Sequence, residues 1–285
     1  TVAQQRYLHR ILEARPISAG EGMLEVHMLL NHRRLLEGLW SLYSFAYFSG
    51  QGCHIIVHDD GSLERNDALK LHKVFPGSTL IPRHEADLRI VTYFREKGLT
   101  RCIQLRDSLV FACKLFDPIF FAQRAFLILL DSDVLFFRCP DQLLSGLTNV
   151  SDSEFQNFYS VDNGYRYCIG REELLALMGR RVNERLNPGI LRVKADVLSW
   201  QRIEEYLKHP GFWNADGTGN YYAEMTLWAM ELTLADALPL SPHYAICPYE
   251  LTRDLVAGHY CGGGYWASYY YTFGLPYLAR VFLNH

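Results

Sequence analysis

The chain has 285 residues, 49% of them hydrophobic and 21% charged, with a formal net charge of −3. Such a length suits one large α/β domain or two small ones with ample core. The composition is that of an ordinary globule. It offers no bulk positive charge to a nucleic acid, and no apolar run approaches the roughly 20 residues that a membrane span requires.

Gly22 to Leu30 reads as a first strand. From Arg33 to Ser49 the apolar residues Leu35, Leu36, Leu39, Trp40, Tyr43, Ala46 and Tyr47 recur at helical spacing, until Gly50 and Gly52 stop the helix. Cys53 to Val57 is a second strand that runs into His58-Asp59-Asp60-Gly61. Strand, helix and strand at this spacing predict a βαβ unit, whose parallel strands bring their carboxyl ends to one edge. Ligands bind beyond such ends in open sheets, which makes Asp59 and Asp60 candidates. The competing reading is turn chemistry before a helix, with Ser62 as N-cap.

Leu63 to Val74 is expected to be helical, Ser78 to Ile81 a brief strand, and Arg83 to Glu96 and Cys102 to Phe116 two further helices. Lys114 has apolar neighbours in Ala112, Cys113, Leu115 and Phe116, so it either snorkels or meets an anion. Ala125 to Arg138, AFLILLDSDVLFFR, is the central apolar strand. Cys139-Pro140-Asp141 opens a short helix through Leu147, and Thr148 to Glu154 is polar loop. Phe158 to Val161 reads as a strand, Arg171 to Met178 as a helix, and Asn187-Pro188-Gly189 leads into a strand at Ile190 to Val193. Asp196 is placed to cap a helix carrying Val197, Trp200, Ile203 and Leu207 on one face. His209 to Asn220 is loop, Ala223 to Leu232 helix, and Leu238 to Pro242 extended. Val256 to Tyr260 leads to Gly262, Gly263 and Gly264, and Tyr265 to Leu283 reads as a helix broken near Gly274-Leu275-Pro276. Alternating strands and helices without repeats or a long linker imply a single α/β domain.

TVAQQRYLHRILEARP lacks the apolar core and cleavage site of a secretory leader, although a chain that opens on Thr1 leaves a trimmed leader or anchor open. Seven cysteines, an odd number with no C-x-x-C pair, read as reduced core or near-core residues. That favours the cytoplasm, with the protein free or peripheral to a membrane.

The chemistry concentrates at Asp131-Ser132-Asp133. Two carboxylates inside an apolar run are costly unless something pairs with them. On an extended chain they would point the same way, and a divalent cation would relieve their repulsion. A solvated turn between two strands is the alternative. His259 in AGHYCGGGYW adds an imidazole, and carboxylates plus one imidazole suit Mn²⁺ or Mg²⁺. The glycines beside it would let backbone N–H groups approach a phosphate, and a cation between carboxylates and a diphosphate stabilises a diphosphate leaving group.

In order and spacing these segments resemble a GT-A glycosyltransferase, most closely the glycogenin and galactosyltransferase-like family 8, over about Met23 to His259. LLDSDVLFFRCPDQL is similar to the family's Asp-x-Asp strand and the helix after it. CKLFDPIFF is similar to the segment before that strand, LNPGILRV to the Asn-x-Gly strand, YAEMTLWAM to the helix near the acceptor, and His259-Tyr260 to the late metal-binding histidine. The resemblance implies a single domain with a mixed, mostly parallel sheet flanked by helices and the Asp-x-Asp at a strand end. After an N-terminal extension (1–21), residues 22–130 would form the nucleotide-binding half and 131–285 the metal and acceptor half.

It also implies a metal-dependent transfer from a nucleotide sugar, a UDP-sugar by analogy, to a hydroxyl of a glycan, small molecule or protein, with retention. Asp131, Asp133 and His259 would hold the metal. Lys114, Arg106, Ser132, Gly262 and Gly263 would lie near the donor, and Asp59 or Asp60 would contact its base or ribose. Asn187, Gly189 and Glu224 would border the donor sugar and the acceptor.

The chain departs from the family at both ends. MLLNHRRLLEG replaces the usual nucleotide loop, HDDGS resembles the inverting family 2 transferases, and GGGYWASYY stands where Lys-Pro-Trp follows the late histidine. Inversion, with Glu224 as general base, is therefore an alternative. So are a non-catalytic sugar-binding protein on the same fold and a haloacid-dehalogenase-type phosphatase with Asp131 as nucleophile. Tyr221, Tyr222, Trp213, Tyr265, Trp266 and Tyr269 to Tyr271 either line an acceptor site or pack a terminal helix.

Overall fold

The computed structural model describes residues 7–20, 22, 24–146, 155–262 and 268–283. The expected βαβ unit is present. Strand β1 (Leu24–Leu30) feeds the helix Leu35–Ser49, which ends at Gly50 in the left-handed conformation (φ 63°). A glycine adopts that conformation without a Cβ clash, so the chain can turn sharply into β2 (Cys53–Asp59), parallel to β1. With β3 (Thr79–Ile81) and β4 (Phe126–Leu130), also parallel, these strands bring Leu30, Asp59, Ile81 and Leu130 to one edge.

Strand β7 (Leu186–Lys194) joins β4 antiparallel, followed by β6 (Phe158–Val161) and β8 (Leu238–Pro239). The seven strands lie in the order β3-β2-β1-β4-β7-β6-β8. A second, three-stranded sheet holds β5 (Val134–Phe136), β10 (Ala257–His259) and β9 (Tyr244–Ile246) in the order β5-β10-β9. The sequence pattern gave no sign of β9.

Alternation along the strands divides the core into two layers. Val26, Met28, Ile128 and Leu130 pack with Trp40 and Phe45 of the first helix and Phe282 near the carboxyl end. Leu127, Leu129, Leu191 and Val193 face the other way, onto Phe94, Phe116, Trp228 and Phe212. Residues of the N-terminal extension are bound into the first layer: Ile11 is fully buried, and the Ile55 N–H donates to the Ala19 carbonyl at 3.1 Å.

Several expectations need correction. The stretch Cys102 to Phe116 is two helices, Thr100–Ser108 and Ala112–Phe120, separated at Leu109, whose backbone is extended. The Ser108 hydroxyl donates back to the Gln104 carbonyl (2.7 Å) and accepts from the Gly219 N–H (3.0 Å), so a tertiary contact fixes the break. Ser199, not Asp196, caps the helix Trp200–Tyr206, accepting from the Arg202 N–H. Ser62 is not an N-cap either, because the next helix, Arg65–Val74, starts after Glu64 with a capping box to Asp67. The break expected near Gly274 is a π-helical turn, Tyr270–Gly274, leading directly into the helix Leu275–Leu283. Cys139 is exposed rather than core or near-core. The short helix after it runs Asp141–Leu144; Leu147, the loop 148–154, Gly263, Gly264, Tyr265 and Trp266 lie outside the described residues.

Candidate active site

The Asp131-Ser132-Asp133 segment is where the chain changes sheets. β4 ends at Leu130, β5 begins at Val134, and the Val134 N–H closes the turn onto the Asp131 carbonyl (3.3 Å). The carboxylates converge because of this turn and its neighbours, not because an extended strand alternates its side chains. Three contacts hold the turn: the Asp131 N–H donates to the Gly189 carbonyl (2.9 Å), the Ser41 hydroxyl to the Asp131 carbonyl (3.0 Å), and the Tyr260 N–H to the Asp133 carbonyl (3.0 Å). β10 pairs antiparallel with β5 so that His259 stands opposite Val134, next to the turn.

His259 Nε2 therefore lies 3.1 Å from Asp133 Oδ1 and 3.5 Å from Asp131 Oδ2. Among the described residues, these three are the group whose ligand atoms could hold one metal ion, all within 4.8 Å of one another. Burial opposes charge on the His259 imidazole, but Asp133 outweighs it and pushes the pKa up to about 9. Burial likewise opposes charge on Asp133, and its partner His259 holds that carboxyl below its ordinary value. Both His259 ring nitrogens are buried without a well-formed hydrogen bond, which fits a side chain shaped to ligate. Two carboxylates and one imidazole form a hard-to-borderline donor set, the kind that takes Mn²⁺ or Mg²⁺.

Gly189 explains itself here. A Cβ at this position would overlap the His259 ring and come within 2.9 Å of Asn187 Oδ1. The glycine of Asn187-Pro188-Gly189 thus makes room for the imidazole. Asn187 accepts from the Gly189 N–H (2.9 Å) and donates to Asp162 (2.9 Å).

Lys114 projects from the helix Ala112–Phe120 onto Asp131, 2.5 Å from Oδ1, and lies 4.0 Å from Glu224 Oε1. The anion anticipated for it is therefore a neighbouring carboxylate. Burial disfavours the ammonium, yet Asp131 and Glu224 raise its pKa above the ordinary value. Glu224, in the first turn of the helix Ala223–Leu234, is pushed up to about 7 by burial against the pull of Lys114.

These groups open onto a cavity of about 950 Å³. Asp131, His259, Lys114, Glu224, Asn187 and Gly262 line it, and Asp133 is tied to it through His259. Phe111, Tyr221 and Tyr222 border the same space. The ring centroids of Phe111 and Tyr221 are 5.4 Å apart, and those of Tyr221 and Tyr222 are 5.1 Å apart. Ser132, half-buried in the turn, does not line the cavity.

Other residues singled out in the sequence stand elsewhere. The Arg106 guanidinium is fully buried in a bidentate pair with Asp117 (2.9 Å to each oxygen) and also meets Asp87, so it points into the core and not into the cavity. Asp59 and Asp60 share the sheet edge with Asp131, but their carboxylates mainly hold their own loop, with Asp59 Oδ2 also accepting from the Arg83 N–H at 3.5 Å. Asp59 accepts from the Gly61 and Leu63 N–H groups, and Asp60 from the Ser62 N–H and hydroxyl. That is the turn chemistry weighed for HDDGS. Trp213 donates to the Leu207 carbonyl outside the cavity. The hydroxyls of Tyr270 and Tyr271 anchor the terminal segment on Glu37, at 3.3 and 2.7 Å.

Sequence reasoning passed over three residues. Asp162, buried at the end of β6, lines the cavity with Arg166, which donates to it at 3.3 Å. Arg34, at the start of the first helix, adds a positive field that helps hold Asp133 low. The Asp162-Asn163-Gly164 that follows a short apolar strand was the available signal for the first two. Nothing local marked Arg34.

The mostly parallel seven-stranded sheet flanked by helices is a fold shared with solved glycosyltransferases. No family model matches the sequence, and no curated relative does either. Solved structures do match. The galactosyltransferase LgtC in complex with donor and acceptor sugar analogues is 13% identical, with a TM-score of 0.57 over 91% of this chain and 96% of that one. An active-site mutant of LgtC is 14% identical, with a TM-score of 0.54 over 91% and 96%. Mouse xyloside xylosyltransferase 1, in its apo form, is 12% identical, with a TM-score of 0.50 over 83% and 97%. At these identities the likeness is one of fold.

Proposed function

We propose that this protein is a metal-dependent glycosyltransferase that moves a sugar from a UDP-sugar to a hydroxyl acceptor with retention at the anomeric carbon. One observation carries the reading: the Asp131-Ser132-Asp133 turn and His259, far apart in the chain, converge in a GT-A fold, with Asp131 and His259 in the wall of a large cavity and Asp133 beside them. A divalent cation held by those three residues would offset the charge of a departing nucleoside diphosphate. Lys114 brings a second cation to the same wall, within reach of phosphate or sugar oxygens. Gly262 has φ +81° and no side chain, so the backbone there can approach a phosphate closely. Asn187 and Glu224 would border the sugar, and Phe111, Tyr221 and Tyr222 would offer ring faces to a glycan acceptor.

Asp133→Ala is expected to abolish sugar transfer while leaving the circular dichroism spectrum unchanged. Wild-type turnover by that variant in the presence of Mn²⁺ would sink the assignment. A panel of nucleotide sugars screened with Mn²⁺ by thermal shift identifies the donor, because a bound ligand raises stability by mass action.

Glu224 supports a second reading. It is buried in the cavity wall with a pKa near 7, and Oε1 has no hydrogen-bond partner. Such a carboxyl is poised to take a proton from an acceptor hydroxyl, which would suit inversion. The anomeric configuration of the product, read by proton NMR, decides between the two.

A further inference from the structure

Two cysteines that the proposed chemistry leaves unused meet in the cavity wall. β9 and β10 run parallel with Ile246 opposite His259, so Cys247 follows one strand by a single residue and Cys261 follows the other by two. The Cys247 thiol donates to the Cys261 carbonyl at 3.2 Å, which sets the two residues side by side. Both residues are half-buried and line the cavity, where small solutes can reach them. Cys247 is held at φ 49°, in the left-handed region that residues with a Cβ rarely occupy, and its N–H is tied to the His259 carbonyl at 2.8 Å. A strained backbone at a cavity wall is the sort of feature that persists where a side chain must be aimed. The remaining thiols are differently placed. Cys53, Cys102 and Cys113 are buried, Cys168 contacts the Thr226 hydroxyl at 3.3 Å, and Cys139 is exposed.

We propose that Cys247 and Cys261 form a redox modification site, a dithiol that a small disulfide such as oxidised glutathione converts reversibly to an intramolecular disulfide. One cysteine sulfur attacks the glutathione disulfide; a protein–glutathione S–S bond forms, the glutathione S–S bond breaks, and one glutathione leaves as its thiol. The second cysteine sulfur attacks this mixed disulfide, forming the Cys247–Cys261 bond and releasing the other glutathione. Two protein thiols are thereby oxidised and one glutathione disulfide is reduced to two thiols. The parallel pairing of β9 and β10 and the Cys247 contact with the Cys261 carbonyl bring the two residues together, as a disulfide's short reach requires. The bond ties the chain leaving β9 to the chain leaving β10, on the wall that carries His259.

The test uses the full chain in oxidised glutathione, with no metal or sugar nucleotide present, so its outcome is independent of the transferase reading. Free thiols are then alkylated and unreduced peptides mapped by mass spectrometry. The expected result is one cross-linked pair holding Cys247 and Cys261, lost on treatment with dithiothreitol, with native circular dichroism retained throughout. In Cys261→Ser, glutathione should instead remain trapped on Cys247. The proposal is overturned if both cysteines stay open to alkylation, if glutathione accumulates only on Cys139, or if the cross-link forms only in urea.

Discussion

Gly189→Ala tests the geometry of the site most directly. A Cβ there would fall on the His259 ring and close to Asn187 Oδ1. The ring cannot move freely, since it is buried on a strand paired with β5 and β9. Inserting a carbon into a close-packed site of this kind costs about 1–3 kcal/mol. For a chain of this size that is a fall in Tm of roughly 2–4 °C per kcal/mol. If the imidazole gives way, it leaves Asp131 and Asp133, and Mn²⁺ affinity should drop on the order of 10–100-fold, as it does when the support of a ligand is removed. Isothermal titration with Mn²⁺ and thermal unfolding read the two effects separately. The control is the His259→Ala background, where the ring that clashes has gone. There Gly189→Ala should cost much less, with only the approach to Asn187 Oδ1 left, giving a coupling energy that makes up most of the single-variant penalty. An equal penalty in both backgrounds, or unchanged Mn²⁺ binding in Gly189→Ala, would refute the claim that this glycine exists to seat His259.

Two further predictions concern the scaffold. Asp117→Ala leaves the fully buried Arg106 guanidinium with Asp87 alone, and breaking such a pair should cost about 3–5 kcal/mol in denaturant unfolding. Replacing both partners, as Arg106→Met with Asp117→Leu, should cost much less; an equal loss would count against a charge-based penalty. Acid should destabilise the fold through His27 and His58, stacked in the sheet with 2.8 Å between ring nitrogens. Burial holds His27 down to about 3 and His58 well below its usual value, so the unfolded chain binds protons that the folded one refuses. Their stabilisation is present above about pH 6.5 and falls by ~1.4 kcal/mol per imidazole per pH unit below it, until the folded pKa is reached. Glu25, which accepts from His27 and is raised by burial, works the other way, and its contribution fades as pH rises. His27→Gln should flatten the acid limb of a stability-against-pH curve, and a slope unchanged from wild type would contradict this account.

Much of the architecture could be read along the chain because it rests on local patterns. The helices Arg83–Glu96 and Arg171–Met178 and the strand Phe158–Val161 fall where their apolar spacing put them. Gly50 ends its helix for the reason any glycine can. Asp131 and Asp133 stood out because carboxylates in an apolar run demand an explanation, and His259 because a cluster of glycines follows it. These are properties of a residue and its immediate neighbours, and one sequence is enough to expose them.

What brings Asp131, Asp133 and His259 together is not local. It depends on a turn that carries the chain from one sheet to the other, and on the antiparallel register that sets His259 against Val134. The same holds for the residues whose roles could not be read in advance. A buried arginine next to a carboxylate it cannot reach along the chain looks the same in sequence as one that faces a ligand. Only the fold turned Arg106 to Asp117 in the core and Lys114 to Asp131 in the cavity. Residue types and spacing determined which chemistry this protein can hold. Long-range pairing decided which of its charges face the cavity and which satisfy one another, because a buried charge is stabilised by whatever the tertiary structure places within a few ångströms of it.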